Sequence, residues 1–258
     1  MMIFIRRIVF ALMLVPASGA AQDFNAGLDA YDAGDYDTAL REWGPLAHQG
    51  HADAQFNLGV IYANGLGVSR DYTEAMRWYR LAADQGHADA QSNLGMMYTN
   101  GLGVPQDDVE AVRWYRLAAE QSAPDAQSSL GIMYANGLGV PQDYTEAMRW
   151  YRLAAEQRDA EAQFNLGFMY ANGLGVPQDD VEAMRWSRLA AEQGHADAQF
   201  NLGVIYANGL GVPQDYTEAM RWYRLAADQG HADAQFSLGV WHVDGQRALQ
   251  DYAEAIRW

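Results

Sequence analysis

Neither cysteine nor lysine occurs anywhere in the 258 residues. Without thiols there can be no disulfide staple, no thiolate metal ligand, no thiol nucleophile and no lipidated N-terminal cysteine. Without lysine there is no Schiff-base chemistry, no P-loop lysine and no Ser-x-x-Lys nucleophile. All 17 basic residues are arginines, set against 33 aspartates and glutamates for a net charge of −16. Nucleic-acid affinity comes largely from cationic side chains that release counterions from phosphate, so this balance argues against nucleic acid as a partner. It argues equally against a basic membrane-surface helix. HExxH and GxSxG strings are absent, as is the DxDxDG spacing of a calcium loop. What is present is apolar: 50% of the residues are hydrophobic and 19% charged, enough to bury a core.

The first twenty-one residues read as a secretory signal peptide. Arg6 and Arg7 form a short positive region, Ile8 to Val15 an apolar run, and Pro16 to Ala21 a small-residue stretch suited to cleavage after Ala20 or Ala21. The apolar run is too short for a membrane anchor, which needs about 18 to 20 continuous apolar residues. Removing residues 1–20 takes away two arginines and no acid, leaving −18. No second apolar span follows, so the exported product is expected to be periplasmic or secreted, with no membrane span.

Beyond residue 53 one unit is copied. Ala-Gln pairs recur at 54, 90, 126, 162, 198 and 234, a period of 36 residues, and residues 54–89 match 198–233 at 34 of 36 positions. The units are thus 54–89, 90–125, 126–161, 162–197, 198–233 and an incomplete 234–258. Inside the unit, Ala54, Leu58, Ile61 and Tyr62 follow the stripe of an amphipathic helix. Asn64 and Gly65 tolerate left-handed backbone and end it. Asp71 begins a second helix as an N-cap with Glu74 placed to reach back to it. Tyr72, Ala75, Met76, Trp78, Tyr79, Ala82 and Ala83 form that helix's apolar face, and Gly86 closes it. The pattern predicts helix, seven-residue loop, helix, turn, with no room for a strand.

Gly59 and the alanines at 75, 82 and 83 let backbones approach, while Trp78 and Tyr62 fill the wider gaps. Burying one such aromatic removes about 150 to 250 Å² from water, roughly 4 to 6 kcal/mol gross before ordering entropy. One unit alone cannot cover both faces, so the units must stack into a curved superhelix with one continuous core. The fold class expected is all-α, an α/α solenoid of about seven helix-turn-helix repeats. Residues 22–53 form a variant first unit: Asp35 to Ala39 aligns with Asp71 to Ala75, the loop after Tyr31 is shorter, and Pro45 is expected to break the helix. At the other end Arg247 replaces the repeat glycine and Trp258 falls midway through a second helix. The last unit is therefore expected to be degraded, its apolar face left for a partner or a further segment to cover.

The six copies carry the pattern A-Q-x-x-L-G-x-x-Y-x-N-G-x-G-V-x-x-D-x-x-x-A-x-R-W and resemble the Sel1-like repeat family. The first unit, with Tyr31, Gly34, Asp35 and Tyr36, is similar to the related tetratricopeptide repeat. The resemblance implies an α/α solenoid that acts as an adaptor for protein complexes, in bacteria often an exported one. It also implies that the first helix of each unit lines a concave groove that contacts peptides. By that resemblance the partner-binding surface comprises Phe56, Val60, Met96, Phe164, Phe168, Phe200 and Val204, flanked by asparagines such as Asn57 and Asn64. The copies vary here: position 56 reads Phe, Ser, Ser, Phe, Phe, Phe, which suggests positions that packing does not dictate. The alternative is that these apolar residues pack against the neighbouring unit.

Catalysis needs a nucleophile, a base and a stabiliser within mutual reach, whereas copied units deliver one set of groups repeatedly. His51, His87, His195 and His231 lie one per unit, too far apart to chelate, and read as surface turns; His242 replaces the repeat tyrosine as a packing variant. No catalytic residue, metal site or cofactor is expected. The function expected is a non-catalytic scaffold for a protein or peptide partner, basic or neutral given the acidic exterior. The alternative, through exported relatives linked to penicillin binding, is a peptidoglycan- or β-lactam-interacting envelope enzyme.

Overall fold

The computed structural model describes residues 23–244, with side chains as far as Trp241. The signal peptide, the His242 side chain, Arg247 and the second helix expected of the last unit all lie outside the described residues. Within them the chain forms helical hairpins in sequence: α1 (Phe24–Asp32) with α2 (Tyr36–His48), α3 (Ala52–Asn64) with α4 (Tyr72–Ala83), and α5 (Ala88–Asn100) with α6 (Asp108–Glu120). There follow α7 (Pro124–Asn136) with α8 (Tyr144–Glu156), α9 (Ala160–Asn172) with α10 (Asp180–Glu192), α11 (Ala196–Asn208) with α12 (Tyr216–Asp228), and α13 (Ala232–Asp244). No strand is present among the described residues. Each helix packs on the next, making the repeating hairpins one α/α solenoid.

The helix ends follow the expected chemistry. The Asp71 carboxylate accepts the backbone N–H groups of Thr73 and Glu74 at 2.9 and 3.0 Å, and Asp107, Asp143, Asp179 and Asp215 repeat this cap. Glu74 does not reach back. Its carboxylate instead takes the Arg77 guanidinium, which lies 4.1 Å from the Trp78 ring centroid, a cation–π lid over a buried indole. The same acid, arginine and tryptophan recur at 146, 149 and 150. At the end of α3, Gly65 adopts φ 70° and donates to the Ile61 carbonyl, and the loop closes when Asp71 N–H reaches the Tyr62 carbonyl at 2.9 Å. The second loop glycine is sterically required. A Cβ on Gly103 would lie 2.6 Å from the backbone of Tyr72, because each loop crosses the N-terminus of the preceding unit's second helix. The Asn-Gly-Leu-Gly-Val loops are therefore structural.

The core is shared between units. Ala75, Tyr79, Ala82 and Ala83 of α4 pack with Ala90, Leu94 and Met97 of α5 and with Trp114 of α6. Small faces large: a Cβ on Gly59 would meet the Tyr79 ring at 2.5 Å. Where Ser187 replaces that tyrosine, the helices close the gap, and a Cβ on Gly167 would come within 3.1 Å of the Ala183 carbonyl. Pro45 does not break α2 as expected. It lies in the last turn, where its own carbonyl still accepts from Gln49 at 3.1 Å; only one helical hydrogen bond is lost there, so the helix runs through it.

Candidate partner-binding face

The first helices of successive units touch, α5 on α7 and α7 on α9, whereas successive second helices make no comparable contact. The row of first helices is therefore the inner side of the bend. All nine residues expected to bind a partner lie on these helices, but their surroundings differ. Met96 and Phe168 stand free, 38% and 49% exposed. Phe168 also borders a cavity of about 350 Å³ with Ile132, Tyr144, Tyr151, Glu161 and Leu174. Val60 is half-buried against the cluster of α4, α5 and α6, and Val204 against that of α12 and α13.

Three of the four phenylalanines of the stripe are engaged by the protein itself. Phe56 stacks on His87 with ring centroids 4.6 Å apart and planes 18° apart; Phe164 stacks on His195 and Phe200 on His231, both at 4.7 Å. Each histidine caps the first helix of the following hairpin. Position 56 varies because packing does dictate it. Phenylalanine faces histidine at 56 and 87, 164 and 195, and 200 and 231, while Ser92 faces Ala123 and Ser128 faces Asp159. The inference from variation is thus corrected: this position covaries with its neighbour.

The same histidines are helix caps, not simple surface turns. Nδ1 of His51, His87, His195 and His231 accepts the N–H of the third residue onward at 3.3 Å. Nε2 of His87, His195 and His231 then faces Asp53 at 3.3 Å, Glu161 at 3.0 Å and Asp197 at 3.0 Å in the preceding unit. A neutral ring protonated on Nε2 satisfies both contacts at once. The hydrogen bond to Glu161 raises the His195 pKa above its ordinary value, and His195 in turn holds the Glu161 carboxyl below its own. At the start of α9 Asp159 takes the cap, accepting from Ala162 at 2.6 Å, with burial pushing its carboxyl upward.

The asparagine ladder is largely consumed by helix ends. Asn64 Nδ2 donates to the Val60 carbonyl at 2.9 Å, and Asn100, Asn136, Asn172 and Asn208 do the same one unit further each time. Asn57 is half-buried on α3. A second ladder escaped the sequence reading altogether. Gln55 donates to the Ala47 carbonyl at 2.9 Å and accepts from Gln85 at 2.7 Å; Gln91, Gln127, Gln163 and Gln199 repeat both bonds. These glutamines are buried, at most 5% exposed, and join each first helix to the C-terminus of the helix before it. Along the outer edge Arg80 donates to Tyr98 Oη at 2.6 Å, a bond repeated in the next three units. Among the described residues no three of His, Asp and Glu converge as a metal site, and no helix is long and apolar enough to cross a membrane.

Six segments match the Sel1 repeat: residues 52–87, 88–122, 124–159, 160–195, 196–231 and 232–258. Among solved structures, a Sel1 repeat protein from Oxalobacter formigenes is 35% identical, with a TM-score of 0.86 over 93% of this chain and 96% of that one. A protective antigen of uropathogenic Escherichia coli with an SLR fold is 38% identical, with a TM-score of 0.83 over 92% of this chain but only 52% of that one. An immunity protein from Pseudomonas aeruginosa is 25% identical, with a TM-score of 0.50 over 79% of this chain and 75% of that one. No curated protein matches the chain.

Proposed function

Because the chain belongs to the Sel1 repeat family, whose solenoids are scaffolds for protein interactions, we propose that it is a non-catalytic adaptor holding a protein or peptide on its inner face. The observation that carries this reading is the presence of free apolar side chains there, Met96 and Phe168 among them, the second beside a cavity of about 350 Å³. A folded chain leaves such groups in water at a cost of about 25 cal/mol per Å², and exposed apolar surface rimmed by polar groups is a common mark of an interface. The anchoring part of the surface narrows to Met96 and Phe168. Phe56, Phe164 and Phe200 shape it from beneath while holding the units together, and Val60, Val204, Asn57 and Asn64 contribute edges and polar rim.

The adaptor works outside the cytoplasm, delivered by the leader at residues 1–21. The likeness to a protein described as a protective antigen supports that location. The enzyme alternative finds no support in the fold or in the relatives. A photo-crosslinking residue at position 168 is expected to trap a partner in the native host, whereas one at 116, on the outer edge, is not. Phe168→Asp should abolish partner retention without changing the circular dichroism spectrum. Crosslinks from the outer edge alone, or unchanged retention in Phe168→Asp, overturn the reading. Recovery of the native protein with Met1 still attached would remove the export assignment.

A further inference from the structure

One buried tyrosine hydroxyl has lost the partner that its siblings keep. The Tyr79 hydroxyl is bonded to Asn93 of α5, and that of Tyr115 to Thr99 and to Ser129 of α7. By the 36-residue period the residue that should meet Tyr151 is Asn165. Asn165 is turned elsewhere: its Nδ2 donates to Glu161 Oε1 at 3.3 Å, one turn back on α9. The sibling positions 53, 89, 125, 197 and 233 all hold aspartate. Residues four apart are neighbours on a helix, and the extra methylene of glutamate carries the carboxylate up to the amide. Tyr151, 3% exposed, is left with no hydrogen-bond partner among the described residues and lies instead within the field of the Glu161 charge.

The cavity of about 350 Å³ opens at this point, and Tyr151, Glu161 and Asn165 line it together with Asn136, Tyr144 and Phe168. It is many times the roughly 30 Å³ share of a water molecule. Its polar lining is rich in acceptors. Asn136 turns its Nδ2 to the Ile132 carbonyl at 2.9 Å and Asn165 turns its own to Glu161, so the amide oxygens are what remains unbonded. Glu161 is the one charged residue of the lining, and its side chain is 52% exposed. Its Oε2 faces His195 Nε2 at 3.0 Å, but a carboxylate has about four lone-pair sites, so these two contacts leave it open to further donors. The rings of Tyr144, Tyr151 and Phe168 add aromatic faces, which attract cations. The same sign of charge runs along the inner side: α3, α5, α7, α9 and α11 each carry an acid in the first turn and no arginine.

We infer that this cavity seats an arginine side chain of the protein partner, its guanidinium set against the Glu161 carboxylate and the Tyr151 hydroxyl and its plane against the aromatic wall. An arginine head is all donors and no acceptor, the complement of a lining short of donors. It is also planar, pairs with a carboxylate through its fork and stacks on aromatic rings, none of which a lysine ammonium does as well. An acidic side chain would meet the Glu161 charge with no cation of the lining to offset it. The assignment rests on the adaptor reading, and it adds the chemistry of one partner residue.

The test is amide NMR of the ¹⁵N-labelled protein at pH 8.0, titrated with acetyl-Gly-Arg-Gly-amide and, separately, with the same peptide carrying citrulline, which keeps the shape and lacks the charge. Saturable shifts centred on Ile132, Phe168 and Leu174, which line the cavity, are expected with the arginine peptide, and binding about tenfold weaker with citrulline. Glu161→Gln should weaken arginine binding about tenfold, the worth of one hydrogen bond to a charged group. Tyr151→Phe should weaken it about fivefold, the worth of one hydrogen bond to a neutral group. Glu161→Asp restores the residue of the sibling units, keeps the charge and releases Asn165 to Tyr151, so it should match Tyr151→Phe. No shift at those residues, equal affinity for the citrulline peptide, or undiminished arginine binding in Glu161→Gln overturns the proposal. If the crosslink from position 168 survives such a result, the adaptor reading stands and the arginine assignment alone falls.

Discussion

Gln127→Met deletes one rung of the buried glutamine ladder while keeping the side chain's length and unbranched shape. Gln127 is 3% exposed, donates to the Ala119 carbonyl at 3.1 Å and accepts from Gln157 at 2.9 Å. Gln157 lies at the surface and can turn to water. The Ala119 carbonyl ends a buried helix and cannot. The lost bonds are worth about 0.5 to 1.5 kcal/mol each, and a buried acceptor left without its donor costs about 1 to 3 kcal/mol. Methionine recovers part of this by burying an apolar chain in place of an amide. The expected net loss is about 2 kcal/mol. Because the rung joins the third copied unit to the second, the loss falls on an interface term, and solenoid stability is close to a sum of units and interfaces. Urea unfolding followed by circular dichroism should therefore show a lower midpoint and a broader transition, with a smaller apparent m-value as the two halves uncouple. Gln142→Met, at a residue that is itself exposed, is the control and should cost about 0.5 kcal/mol or less. A Gln127→Met protein that unfolds at the wild-type midpoint with the wild-type slope would refute the claim that these amides hold the units together.

Arg158 and Ser122 occupy the left-handed position that glycine takes in the other units, at φ 69° and 66°. Arg158→Gly and Ser122→Gly should each stabilise the protein by about 0.5 to 1 kcal/mol, the left-handed penalty less the entropy of glycine, read as a raised melting temperature. Gly131→Ala should cost about 1 to 3 kcal/mol by overpacking, since its Cβ would meet the Tyr151 ring at 2.6 Å; an unchanged melting temperature would contradict that. Phe164→Ala and Phe200→Ala should destabilise the fold as well as any binding, because each ring stacks on a histidine that caps the next hairpin; equilibrium unfolding separates this from the Phe168→Asp effect. For the Glu161 and His195 pair the sign follows from the two shifts. The His195 contribution is fully present below its ordinary 6.5 and fades as pH rises through its elevated pKa, and the Glu161 contribution is present above its ordinary 4.5 and fades as pH falls. The stability difference between wild type and Glu161→Gln should accordingly peak between about pH 4.5 and 6.5, and a difference independent of pH would remove the pair as a contributor.

Much of the architecture was legible because it depends on local signals that every copy repeats. The Asp cap, the closing glycines, the small residues facing aromatics and the 36-residue period all read directly from the chain. Pro45 misled because its effect depends on distance from the helix end, not on its presence. The glutamine ladder was visible only as a recurring letter pair: its meaning lies in the carbonyl eight residues earlier and an amide thirty residues later, neither of which a helical periodicity brings into view. Histidine is an unusual N-cap, since Ser, Thr, Asp and Asn dominate that position, so the repeated Gly-His-Ala-Asp read as a solvated turn.

Variation among the copies is where the sequence and the structure part company. A position that changes between repeats can be free of packing or locked to a partner that changes with it, and one row of letters cannot tell the two apart. Reading two rows together can. Phenylalanine accompanies histidine 31 residues later at 56, 164 and 200, and serine accompanies Ala123 or Asp159. That pairing ties three phenylalanines of the inner stripe into the joints between hairpins and leaves Met96 and Phe168 of the same stripe exposed. It also distinguishes the two serine junctions. At one, Asp159 supplies a cap in the histidine's stead. At the other no side chain does, so among the described residues the two serine junctions are closed by different chemistry although the units around them are nearly identical.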